Sequence, residues 1–309
     1  MTGPTPEDIA RLETEKVSAE FAALDRMSAL EIVTTMNRKD ATIPPVIARA
    51  LPEIAQVVDA ATASLRVGGR LVYAGCGTAG RLGVLDASEC PPTFGTDPST
   101  VIGLIAGGDA ALRTAVEGSE DDEPAGAADI AALGVGPSDT VVGIAASGRT
   151  PYTVAAVRRA RQLGAATAAL VCTAGSPLAH AADIPLEVVT GPEVVAGSTR
   201  LSAGTAQKLV LNMISTATMV RMGKTFGNRM VDVRATNAKL EARAVTIVSD
   251  IADVDLGAAR RALAEAGGEA KTAALMLMAG VDALAARERL RSAEGSLRAA
   301  LGPDPSPAH

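Results

Sequence analysis

Three clusters of glycine and hydroxyl residues are the places where this sequence could hold an anion. The first, "GCGTAGRLG" from residue 75, follows the apolar run "RLVYA". Its Gly75, Gly77 and Gly80 have dinucleotide-loop spacing. A dinucleotide site also wants an acid at the end of the next strand, and "VIGLIA" runs into Gly107 and Gly108 before Asp109 appears. That disfavours a nicotinamide site. The second cluster, "AASGRTPY", sets Ser147, Gly148 and Thr150 at a strand end, with Pro151 opening the next helix. A helix start with hydroxyls and free amides can bind an anion, although Thr150 could equally be an N-cap and Gly148 a turn residue. The third, "AGSTRLSAGTAQK", sets Ser198, Thr199, Ser202 and Thr205 before another helix. Together the clusters favour a phosphorylated ligand held by neutral donors.

Proton chemistry must come from other side chains. The two histidines are His180 and the terminal His309, which leaves no Ser-His-Asp triad and no histidine-rich metal site. Glu89, in "DASECPP", lies between apolar stretches and is expected to be partly desolvated, with its pKa raised. Glu117, Glu120, Asp121, Asp122 and Glu123 form an acidic run that reads as a solvated turn, its last acids favouring the helix after Pro124. Cys90 has no neighbouring His or Lys and reads as a small buried thiol. Arg81, Arg149 and Arg200 each adjoin a hydroxyl loop, where they could neutralise an anion or pair with an acid, and structural pairing is expected of at least one.

These residues need a scaffold. Apolar spacing predicts helices over residues 7–66, with Pro45 in a first turn. Apolar runs at 70–74, 101–106, 140–146 and 166–172, and a weaker one at 184–189, then alternate with helical segments, as parallel strands with crossover helices do. The two prolines of "ECPP" argue against a long helix through that point. A long helix is expected from about Ser202 to Gly223. Beyond Asn237 the chain turns rich in Ala, Leu, Arg and Glu, with Gly267, Gly268, Gly280 and Gly295 marking turns between short helices. The expected fold is α/β, a doubly wound parallel sheet with N-terminal helices and a small C-terminal helical domain. The expected divisions are 1–42, 43–236 and 237–309.

A chain of 309 residues with a formal charge of −6 and no Trp offers neither a basic face nor a stacking platform for nucleic acid. No apolar stretch is long enough to span a membrane, and the opening "MTGPTPEDIARLETEK" is unlike a signal peptide, so a cytoplasmic setting is expected. Cys76, Cys90 and Cys172 make no CxxC pair, which suits free thiols in a reducing compartment.

"GCGTAGRLGVLDASECPPTFG", "IAGGDAALRTAVEGSEDDE", "AASGRTPY" and "GSTRLSAGTAQKLVLNMIST" together resemble the N-acetylmuramic acid 6-phosphate etherases of the sugar isomerase (SIS) superfamily. The likeness extends over nearly the whole chain. It implies a three-layer αβα fold and cofactor-independent, metal-free removal of D-lactate from the sugar. It also implies a homodimer with the site near the subunit boundary. By the same resemblance, Glu89 would protonate the departing oxygen and Glu120 would take the proton on carbon 2, with Glu117 the neighbour most easily confused with it. Substrate contacts would come from Gly77, Thr78 and Ala79, and from Ser147, Gly148, Arg149 and Thr150. Thr78, Ser147 and Thr150 would meet the phosphate, while Ser198 and Thr199 line the sugar pocket. A sugar-phosphate-binding regulator and an aldose-ketose isomerase are the alternatives on such a fold. Two departures stand out: Ala79 replaces the usual serine, and "TEKVSA" replaces the usual T-E-x-R-N-P.

Overall fold

A computed structural model describes residues 13–232 and 238–302. The part of the expected N-terminal helical stretch before residue 13 lies outside them. Helix α1 (Ala29–Asp40) starts at a capping box, in which Ser28 N donates to Glu31 Oε2 at 2.8 Å while Glu31 N donates back to Ser28 Oγ. Helix α2 (Ile43–Ile47) carries prolines in its first turn, and α3 (Leu51–Arg66) buries Ile54, Val57, Ala61 and Leu65 on one face.

Five strands follow: β1 (Leu71–Gly75), β2 (Val101–Ile105), β3 (Thr140–Ala145), β4 (Ala166–Val171) and β5 (Ile184–Glu187). All pair in parallel, in the order β2-β1-β3-β4-β5. Strands β2 to β5 each lie inside a predicted apolar run, and β1 overlaps its run at 70–74 but ends one residue later. Strands β1 and β3 are buried along their whole length because crossover helices cover both faces, so they read as continuous apolar runs rather than alternating ones. The crossovers include α4 (Gly77–Phe94), α5 (Glu123–Ala132), α6 (Pro151–Gln162) and the short α7 (Pro177–Ala181). Helix α8 (Ser202–Arg221) closes the layer.

Helix α4 overturns one expectation, since it runs through Pro91 and Pro92 to Phe94. The prolines fall in its last turn, and each removes its own bond to the carbonyl four residues back, at Ala87 and Ser88, so the helix ends with two bonds fewer than its length allows. Burial of Cys90 and Phe94 holds that turn in place. The start of α4 depends on a close approach: a Cβ on Gly80 would lie 2.8 Å from the Gly75 carbonyl oxygen and 2.7 Å from Ile105 Cγ1. No larger residue lets the helix begin so near the strand that feeds it.

The chain divides into two compact units, one of Met1–Ser88 with Ser99–Ser215, the other of Glu89–Pro98 with Thr216–His309. The second unit holds a short hairpin, β6 (Thr225–Phe226) with β7 (Arg229–Met230), which nothing in the sequence pattern suggested. It also holds α9 (Ala238–Ala252), α10 (Leu256–Glu265), α11 (Ala270–Ala279), α12 (Ala283–Ser292) and α13 (Leu297–Leu301). Its core is built from small side chains such as Ala244, Ala259 and Ala273 around Val248, Leu275 and Leu290. The expected glycine turns fall between these helices, with Gly280 capping α11 at a φ of 63°. Lys271 is buried there against Asp232 and the Gly295 carbonyl, at 2.8 and 2.7 Å, and burial lowers its pKa.

Candidate active site

Strand order decides where the chemistry can be. From β1 the chain crosses to β2 on one side and later enters β3 on the other, so the loops leaving β1 and β3 diverge and open a crevice at the carboxyl ends of those strands. Register places Gly75 beside both Ile105 and Ile144, which brings three loop starts to one edge. The first and second glycine-hydroxyl clusters sit in the loops flanking that crevice.

In the first loop, Gly77 opens α4 at a φ of 54°, and Thr78 follows in the first turn, half-buried. Ala79 is only 7 % exposed. In the second, Gly148 adopts a φ of 63°, and a Cβ there would fall 2.1 Å from Ser176 Oγ. The Gly148 carbonyl also accepts from Leu178 N at 2.9 Å, so this turn is clamped onto α7. Arg149 N donates to Ser147 Oγ at 3.3 Å. Thr150 does occupy the N-cap position of α6, but its side chain makes no capping bond and its hydroxyl stays available. The third cluster reaches the first through Gly204: a Cβ on that residue would be 3.5 Å from both Thr78 Cγ2 and the Thr199 carbonyl oxygen. Ser198 and Thr199 are half-buried in the turn leading to α8.

Next to Gly77 a cleft of about 240 Å³ opens, with Cys76 and Arg81 on one wall and Glu117 and Glu120 on the other. Both glutamates are exposed on the turn that follows Ala115. The Cys76 thiol is half-buried. Burial raises its pKa and the charge of Glu120 raises it further, against the opposing pull of Ser119, the Gly77 amide and Arg81. Two further acids of the run have structural contacts. Asp122 caps α5 by accepting from Ala125 N at 2.9 Å, and Glu123 faces Arg158 at 3.7 Å in an exposed pair.

Two expectations fail here. Glu89 is exposed on α4, about three helical turns from Gly77, and is not among the residues lining the cleft. The apolar residues that flank it in sequence project elsewhere, because the helix turns Ala87 and Cys90 inward and leaves Leu85, Ser88, Glu89 and Pro92 outward. Nor does any of Arg81, Arg149 and Arg200 form an ion pair among the described residues; Arg81 Nε donates instead to the Leu112 carbonyl at 3.2 Å.

Sequence reasoning also missed several polar groups that hold the site together. Asp86 is buried in α4 and accepts from Tyr73 at 2.9 Å, Asn212 at 2.6 Å and Ser215 at 3.1 Å, tying β1, α4 and α8. The signal was an acid on the inward stripe of Gly83, Ala87 and Cys90. Glu193 is buried and accepts from Ser202 N and Ala203 N at 2.8 and 2.9 Å, fixing the start of α8. Nothing local announces this, since the contact spans a loop. The retained half of the N-terminal pattern docks here too, where Gly197 N donates to the Thr14 carbonyl at 3.1 Å.

Two family models match the chain, the glucokinase regulatory protein N-terminal SIS domain over residues 53–161 and the SIS domain over residues 123–217. A curated N-acetylmuramic acid 6-phosphate etherase of Streptomyces avermitilis is 55% identical over 301 residues, which is 96% of both chains. One from Rubrobacter xylanophilus is 56% identical and covers 96% of this chain and 98% of its own. The chain belongs to the N-acetylmuramic acid 6-phosphate etherase family. Among solved structures, a phosphoheptose isomerase from Francisella tularensis superposes with a TM-score of 0.52 at 24% identity, over 63% of this chain and all of that one. That likeness shows the SIS-type fold of the sheet. The cleft beside Gly77 carries the acids Glu117 and Glu120 in its lining.

Proposed function

We infer that the protein cleaves the D-lactyl ether of N-acetylmuramic acid 6-phosphate, giving N-acetylglucosamine 6-phosphate and D-lactate in the recovery of cell-wall amino sugars. The observation that carries this is identity of 55% along 96% of the chain to a curated etherase. With the sugar ring open, the aldehyde acidifies the proton on carbon 2. A carboxylate removes that proton, lactate leaves from carbon 3 once its ether oxygen is protonated, and water adds in the reverse sense. Each positioned acid or base contributes typically about 10²–10⁴-fold.

In our reading Glu120 is the base. Its place in the cleft beside Gly77 supports that role, and Glu117 on the same turn is the competing candidate. Thr78, Ser147 and Thr150 receive the phosphate together with the amides of Gly77, Ala79, Gly148 and Arg149, while Ser198 and Thr199 line the sugar. Glu89 is the acid. An acid of this kind must hold its proton, and the exposed stripe of Leu85, Ser88, Glu89 and Pro92 gains a dry setting when a second copy covers it. We therefore take the active form to be a homodimer with the site near the subunit boundary. Among the described residues Cys76, Cys90 and Cys172 are not bridged by disulfides, which supports a cytoplasmic setting. Among the described residues no helix is long and apolar enough to cross a membrane. The isomerase alternative draws on likeness of fold alone.

The deciding assay is D-lactate release from N-acetylmuramic acid 6-phosphate, run beside the unphosphorylated sugar. Release from the phosphorylated sugar, with far poorer turnover of the other, is expected. Absence of release, or equal turnover of both, overturns the reading.

A further inference from the structure

The substrate carries two anionic groups, and the loops above account for one. We propose that Arg81 holds the other, the carboxylate of the lactyl group, and so selects lactyl-bearing sugar phosphates; this rests on the functional reading just given. Among the described residues Arg81 is the only cation lining the cleft, which it shares with Glu117 and Glu120. A carboxylate entering between two acids would meet repulsion unless a positive charge faced it. Arg81 has that charge to give. It is half-buried, its Nε is occupied by the Leu112 carbonyl, and among the described residues it has no carboxylate partner. The Nε bond fixes the plane of the guanidinium while its two terminal nitrogens stay available for a forked grip on a carboxylate.

The apolar part of the lining matches the remainder of the group. Ala111, Ala115 and Val116 line the same cleft, an apolar surface that can take the lactyl methyl. A lactyl group is a methyl and a carboxylate on one carbon, and the cleft sets an apolar wall and a lone guanidinium side by side. Arg149 and Arg200 are exposed outside it and cannot substitute.

The test compares wild type, Arg81→Gln and Arg81→Lys on three compounds: the natural substrate, its analogue with the lactyl carboxylate replaced by a carboxamide, and N-acetylglucosamine 6-phosphate as an inhibitor without a lactyl group. Arg81→Gln is expected to raise KM for the natural substrate by about 10–100-fold. The carboxamide KM and the inhibition constant should stay within about threefold, and Arg81→Lys should lose less than Arg81→Gln. Equal loss on all three compounds in Arg81→Gln, or equal loss in the two variants, overturns the proposal and leaves Arg81 as a support for the turn at Leu112. A wild-type enzyme that released no lactate would overturn the functional reading and this one with it. Lactate release with no dependence on Arg81 would overturn this one alone.

Discussion

Tyr152 donates its hydroxyl hydrogen to Asp129 Oδ2 at 2.6 Å, joining the first turn of α6 to α5 next to the Ser147–Thr150 loop. Tyr152 is almost completely buried, and burial together with the neighbouring Asp129 drives its pKa well above the ordinary tyrosine value. The helices meet closely here, since a Cβ on Gly126 would lie 2.1 Å from the Tyr152 carbonyl oxygen. Helix α5 follows the turn that carries Glu120, and α6 follows the loop that carries Ser147 and Thr150. This contact therefore fixes one loop against the other.

Stability should consequently depend on alkaline pH. The folded chain holds the Tyr152 proton more tightly than the unfolded chain does, so the contribution is complete below the unfolded value of about 10 and is lost as pH rises beyond it. Tyr152→Phe should cost about 1–3 kcal/mol at neutral pH. Urea unfolding followed between pH 7 and 11 should fall more gently above pH 10 in this variant than in wild type. Parallel decline in the two proteins would mean that the tyrosine proton is not linked to folding.

Ala79 gives a second expected outcome. Its side chain is 7 % exposed, so the hydroxyl of Ala79→Ser would be buried in a loop that has no ligand bound. An unpartnered hydroxyl costs about 1–3 kcal/mol, and a phosphate that accepts from it should recover up to about tenfold in affinity. Melting temperature should drop without ligand, and the stabilisation given by N-acetylglucosamine 6-phosphate should be larger than in wild type. No change in either quantity would place the side chain of residue 79 away from the phosphate.

The division of labour between the glutamates can be read from isotope exchange. Glu120→Gln should abolish entry of solvent deuterium at carbon 2 together with lactate release, because no later step can begin without the proton removed. Glu89→Gln should keep the exchange while lactate release falls by orders of magnitude, since the carbanion still forms when the leaving oxygen lacks its acid. Exchange that survives in Glu120→Gln and vanishes in Glu89→Gln reverses the roles. Loss of exchange in Glu117→Gln alone would move the base to that residue.

Periodicity and turn chemistry by themselves determined the alternation of strands and helices, the helical tail and the places of the three glycine-hydroxyl clusters, since short apolar runs such as "TVVGIAA" between turn signals suit covered strands. These are properties of neighbouring residues, and local physics writes them into the chain. Tertiary structure decided the rest. Strand order, which no single segment encodes, put the β1 and β3 loops on either side of one crevice. The helical phase of α4 exposed Glu89 although apolar residues flank it in sequence, and it turned Asp86 inward to collect three donors from β1 and α8. Arg81 and Glu120, 39 positions apart, became walls of one cleft only because the β1 and β2 loops leave the sheet at the same edge. Burial, charge and partnership depend on what the folded chain brings close, and sequence distance carries little of that information.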